Sequence, residues 1–172
     1  MATSNPSSTF TRPNNTTAYA SGNLVANSTN APSVVPMSWT LGYSIVTAPV
    51  RCKRVRLQKS GTNVTNATFR LHLYGAPPNA ANGDSGAWST DTSANYLGYF
   101  DITQQGTILL AFTDGGAGWG AFAAGGELNL KLGAGKTIYG LLEARAAYAP
   151  AANETFTVTL ELIEDGGSGG ND

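Results

Sequence analysis

Nine consecutive residues, RCKRVRLQK, carry Arg51, Lys53, Arg54, Arg56 and Lys59. A cluster this basic suits an ionic contact with an acidic neighbour. It equally suits an edge strand that uses charge to block aggregation. A platform for single-stranded nucleic acid interleaves aromatic rings with its cations. None interrupts this run, so no direct nucleic-acid partner is expected. In a strand, Arg54 and Arg56 share a face while Arg51 and Lys53 fall out of phase. That predicts a bulge or bend near residue 53.

Other segments imitate catalytic motifs without their partners. GDSG at residues 83–86 matches the nucleophile tetrapeptide of trypsin-like serine proteases. That chemistry needs a histidine base and a separate buried aspartate. The one histidine, His72, lies thirteen residues before Ser85, and Asp84 is the only acid between them. A turn in a Gly/Asn/Ser-rich loop is the better reading. GAGKT at residues 133–137 resembles the end of a phosphate loop, but Leu130 stands where the first glycine belongs. A strand-like TIYGLL follows instead of a helix, so a tight hairpin turn between Leu132 and Thr137 is expected. One cysteine, Cys52, permits neither an intrachain disulfide nor a cysteine-based zinc site. Asp84, Asp91, Asp101, Asp114, Glu127 and Glu143 are scattered over loops and outward strand positions. The expectation is no catalytic residue, no metal and no cofactor: not an enzyme.

The elements that would position these residues are strands. The chain has 172 residues and 12% charged residues, one domain's length with about half the usual charge. Residues 1–83 hold seven basic and no acidic residues; residues 84–172 hold three basic and eleven acidic. Such halves either pair within one sheet system or meet across copies. Apolar residues alternate with polar ones at Leu24 and Ala26, then at Val35, Met37, Trp39 and Leu41. The pattern recurs at Val55 and Leu57, and at Phe69, Leu71 and Leu73. Residues 96–102, 107–113, 127–132, 137–144 and 155–163 continue it. Residues 144–152, rich in alanine, have room for one short turn before Pro150. The fold class is therefore all-β, a single antiparallel β-sandwich or jelly roll of eight or nine short strands.

Residues 1–16 contain Pro6 and Pro13 among small polar residues and read as an extended N-terminal arm. Phe10, Arg12 and Tyr19 are its candidate anchors on a neighbouring subunit. Residues 17–164 form the sandwich, and 165–172 (DGGSGGND) a flexible tail. Two long loops, 75–95 and 114–126, carry Trp88 and Trp119 as candidate contacts. The first 30 residues lack the apolar core of a signal peptide, and residues 13–50 are too polar to span a membrane. No membrane partner is expected.

FTRPNNTTAYASGNLVANS, MSWTL, RVRLQKSGTNVTNATFRLHLY and NGDSGAWST…NYLGYFDI resemble small β-rich proteins of tailed phages, over roughly residues 10–115. Among these, the text is similar to the decoration, or cement, proteins that coat assembled heads, some of them jelly rolls. The resemblance implies a virion protein on the outer head surface, made in the host cytoplasm. It also implies binding to the major capsid protein and to sister copies as a dimer or trimer, with no cofactor. A tail-fibre or carbohydrate-binding domain is the alternative, with Trp88 and Trp119 stacking on sugar.

Overall fold

A computed structural model describes residues 2–41, 50–63, 65–89, 95–102, 127–130, 132 and 136–164. The expected strand at 107–113, the loop at 114–126 with Trp119, and the tail at 165–172 lie outside these residues.

Ten strands fall in the described part: β1 (Ala2–Ser4), β2 (Ser7–Thr11), β3 (Asn23–Val25), β4 (Met37–Thr40), β5 (Val50–Lys59), β6 (Phe69–Tyr74), β7 (Tyr96–Ile102), β8 (Leu128–Leu130), β9 (Thr137–Ala144) and β10 (Thr155–Glu164). They form two antiparallel sheets of five. One runs β1-β10-β5-β8 with β2 also on β10; the other runs β3-β9-β6-β7 with β4 also on β9. β1 and β2 share one edge of β10, and β3 and β4 share one edge of β9. With each pair counted as one interrupted strand, the orders β2-β10-β5-β8 and β4-β9-β6-β7 are those of a jelly roll. β8 and β9 belong to different sheets and do not pair, so they are not the two arms of the expected hairpin; its turn at residues 133–135 lies outside the described residues.

Alternation builds the core. Phe156, Val158, Leu160 and Leu162 of β10 face Phe69, Leu71 and Leu73 of β6 in one buried cluster. Trp39 of β4 spans it: its indole Nε1 donates to the Val158 carbonyl of the opposite sheet at 3.0 Å. The ring needs Gly140 beneath it, where a Cβ would sit 2.8 Å from two ring carbons and 3.2 Å from Leu71. Gly140→Ala is expected to destabilise the domain by about 1–3 kcal/mol through overpacking, read as a lower urea midpoint. Val35 departs from the expected alternation: Pro36 separates it from β4 and it is 67% exposed.

The N-terminal segment is a correction. Residues 2–4 and 7–11 are extended, but they pair with β10 of the same chain. An isolated arm leaves its backbone groups to water, whereas the edge of β10 offers them a ladder. Phe10 stacks on its cross-strand partner Phe156, with centroids 5.4 Å apart. The bulge expected near residue 53 is present: the register of β5 against β10 shifts between Glu161 and Leu162, which skips Lys53. The short turn expected within residues 144–152 before Pro150 is not there; a turn falls after that proline, at Ala152 and Asn153.

Candidate functional site

The charged halves meet inside one subunit. Antiparallel pairing sets Arg54 opposite Glu161, whose carboxylate accepts from Arg54 Nε at 2.6 Å and also from Arg56. Arg51 and Lys53 reach Glu127, beside the edge strand β8. Lys59 is buried against Glu154, its Nζ 3.2 Å from Oε1. The basic run is thus paired along its own sheet. For Lys59, wholly enclosed, this removes a role in an ionic interface. Cys52 lies in the core, where burial pushes its thiol up to about 12.

GDSG is a structural turn. Gly83 has no room for a side chain, because a Cβ would overlap the Thr29 backbone. Ser85 adopts a positive φ of 64°. Backbone bonds from Asp84 to Ser28, from Ser85 to Leu24 and from Leu24 to Gly86 dock the turn on β3. Asp84 then points inward. Its Oδ1 accepts from Tyr19 Oη at 2.6 Å and from the Ala26 N–H at 2.9 Å; its Oδ2 accepts from Arg12 Nη2 at 3.0 Å. Both side chains of the ion pair are fully buried. Arg12 also donates to Tyr19 Oη, to the Asn15 carbonyl and Oδ1, and to the Ala151 carbonyl. Every guanidinium donor is used. Burial pushes the Tyr19 phenol far above its ordinary value, with the Asp84 charge adding to the shift. Arg12 and Tyr19, expected as anchors for a neighbour, therefore hold this loop inside their own domain. The Ser85 hydroxyl donates to Asp84 Oδ2 at 3.4 Å, and the histidine that a serine nucleophile needs is engaged elsewhere, with both His72 ring nitrogens on Tyr96 and Glu143.

The loop carries Trp88 back over the outer face of the β6 sheet. The Trp88 amide donates to Gly22 O, and the indole stacks on His72 at 4.0 Å. Leu24, Ala26 and Leu141 form a second small core there with Val34, Ala80 and Trp88. Trp88 is only partly exposed, because its ring serves this packing.

Around that stack lies the candidate site. Glu143 Oε2 is 2.9 Å from His72 Nε2, and Arg145 donates to Oε1 at 2.8 Å. Tyr96 Oη is 3.1 Å from His72 Nδ1. A carboxylate can only accept, so Nε2 carries the proton and Tyr96 donates to Nδ1. Burial pushes the Tyr96 phenol up to about 12, which makes it a hydrogen-bond donor and not a nucleophile at neutral pH. On the neighbouring strand Tyr99 lies under the Arg70 guanidinium, 3.9 Å from ring centre to Cζ. Arg70 grips Asp101 with two bonds of 2.6 and 2.9 Å, and this pairing holds the Asp101 carboxyl below its ordinary value. Tyr96 and Tyr99 are 40% and 41% exposed. Neither was singled out from the sequence. YLGYF contains the signal: alternation turns Phe100 and Ile102 inward and Tyr99 outward. Gly98, at φ 134°, marks the bulge that brings Tyr96 to the same patch.

Burial lowers the His72 pKa from 6.5, against the opposing pull of Glu143. The unfolded chain then takes up the proton first as pH falls. Stability is expected to drop from about pH 6.5 down to the folded-state pKa and to level off below it. Urea midpoints between about pH 7 and pH 5 should fall more steeply for the wild type than for His72→Gln. Coincident profiles would remove His72 from the pH response.

Among the described residues no group of three or more histidine, cysteine, aspartate or glutamate side chains is placed to hold a metal ion, and no helix is long and apolar enough to cross a membrane. No family model, curated protein or solved structure matches the chain.

Proposed function

We propose that this chain is a non-enzymatic virion structural protein that binds the outside of a tailed-phage head and stabilises it. The major capsid protein and sister copies are its partners. One observation carries the reading beside the resemblance in the sequence. Among the described residues, groups that looked chemical are engaged in holding the sandwich together: Asp84 binds Arg12 and Tyr19, Lys59 binds Glu154, and Glu143 binds His72 and Arg145; Asp91 and Asp114 lie outside the described residues. The described outward faces of the two sheets are then left as surface for binding. Because Arg54, Arg56 and Lys59 pair internally, attachment to the shell depends only weakly on salt.

The test is location and stability of purified particles. Gold-labelled antibody is expected on heads, and particles lacking the protein should release their DNA at a lower temperature. Label confined to tails, or heads of unchanged heat stability without the protein, would overturn the proposal.

A further inference from the structure

The outer face of the β6 sheet presents two half-exposed tyrosines whose orientations are already fixed. Tyr99 is held by the Arg70 guanidinium over its ring and is still 41% exposed. Tyr96 is tied by its hydroxyl to His72 and leans on Tyr74, with centroids 5.4 Å apart. Both rings, and Trp88, surround the imidazole: the His72 centroid is 4.0 Å from Trp88, 5.9 Å from Tyr96 and 6.3 Å from Tyr99. Rings held this way lose little side-chain entropy when something settles on them.

The polar groups of the patch decide what that is. Arg70 is matched by Asp101, and Arg145 by Glu143. Among the described residues two cations and two carboxylates cancel, so the patch they form offers no net charge to attract a phosphate, a nucleic acid or an acidic peptide. Yet it is rich in directional hydrogen-bonding groups: a two-pronged guanidinium–carboxylate pair and a partly exposed Arg145. Flat aromatic faces beside neutral, bidentate polar groups match a ligand with apolar C–H faces and a rim of hydroxyls. We infer that the face formed by Tyr96 and Tyr99 with Arg70, Asp101 and Trp88 binds a neutral saccharide. The surface goes beyond attachment to a capsid: a head-bound copy that kept this face outward would hold the particle to sugar-coated surfaces.

The experiment uses the full chain on a printed array of neutral oligosaccharides (glucans, galactans and N-acetylhexosamine oligomers) with sialylated and sulfated glycans alongside. Binding to a neutral glycan is expected. Tyr99→Ala and Tyr96→Ala should each weaken it about tenfold or more, with circular dichroism unchanged. Tyr99→Phe, which keeps the ring, should retain most of the affinity. Silence on the array, preference for the anionic glycans, or binding untouched by both alanine variants would overturn the inference. So would tyrosine variants that lose attachment to heads, since the patch would then be a protein interface. Particle location is measured separately, so failure on the array leaves the capsid proposal standing.

Discussion

Asp84→Asn is expected to remove about 3–5 kcal/mol of stability, a large share of the 5–15 kcal/mol that typical domains possess. The change is nearly isosteric, so the cost is electrostatic. The wild-type carboxylate accepts from Tyr19 and the Ala26 amide on one oxygen and from Arg12 on the other. Asparagine must point an N–H₂ group at one of these donors. If the amide oxygen stays with Tyr19 and Ala26, its nitrogen faces the guanidinium, donor against donor. Either way a fully buried Arg12 has lost its counter-charge. The double variant Arg12→Met/Asp84→Asn should be less destabilised than the sum of the single changes, because the pair shares one interaction. Urea unfolding of the four proteins measures this. A loss below about 1 kcal/mol for Asp84→Asn would mean that the network does not anchor the turn.

The same network shows which parts of the molecule were legible beforehand. Strand text was clear wherever one face met the core. FTVTLEL and FRLHLY alternate because their inward residues fill a single cluster between two sheets. The out-of-phase Lys53 announced its bulge for the same reason. β3 was harder to read: Val25 enters the main core while Leu24 and Ala26 enter a second one beneath the Trp88 loop. A strand covered on both faces loses the alternation that identifies which side is inside. Long-range charge pairing was harder still. Arg12 finds Asp84 72 positions away, and Lys59 finds Glu154 95 positions away. The basic first half and acidic second half suggested either internal pairing or contacts between copies. Only the register, with β5 beside β10, distinguishes them. Arg12 did carry one clue. It is the only charged residue among the first 50, and a solitary charge in such text suits a buried network as well as a surface arm.

Glu154→Gln is expected to cost about 3 kcal/mol near neutral pH, and this deficit should shrink as the solution becomes alkaline. Glu154 is fully buried, accepting from Lys59 at 3.2 Å, from Tyr148 Oη at 2.6 and 2.8 Å, and from the Ala151 amide at 3.3 Å. Glutamine keeps one acceptor oxygen but leaves the Lys59 ammonium without an opposite charge. Burial already lowers the Lys59 pKa from 10.5, while the charge and hydrogen bond of Glu154 pull it back up. Without that pull, the folded-state value falls further. Between this value and the wild type's own folded-state value, only the variant binds fewer protons folded than unfolded, so it gains stability relative to wild type as pH rises through that window. An ammonium can escape its penalty by losing a proton, whereas a guanidinium cannot. The Asp84→Asn deficit should therefore stay flat from about pH 7 to pH 9.5, while the Glu154→Gln deficit narrows. Urea midpoints of the two variants and wild type across that range separate the cases. If the two deficits run parallel, Lys59 is not the group left unpaired.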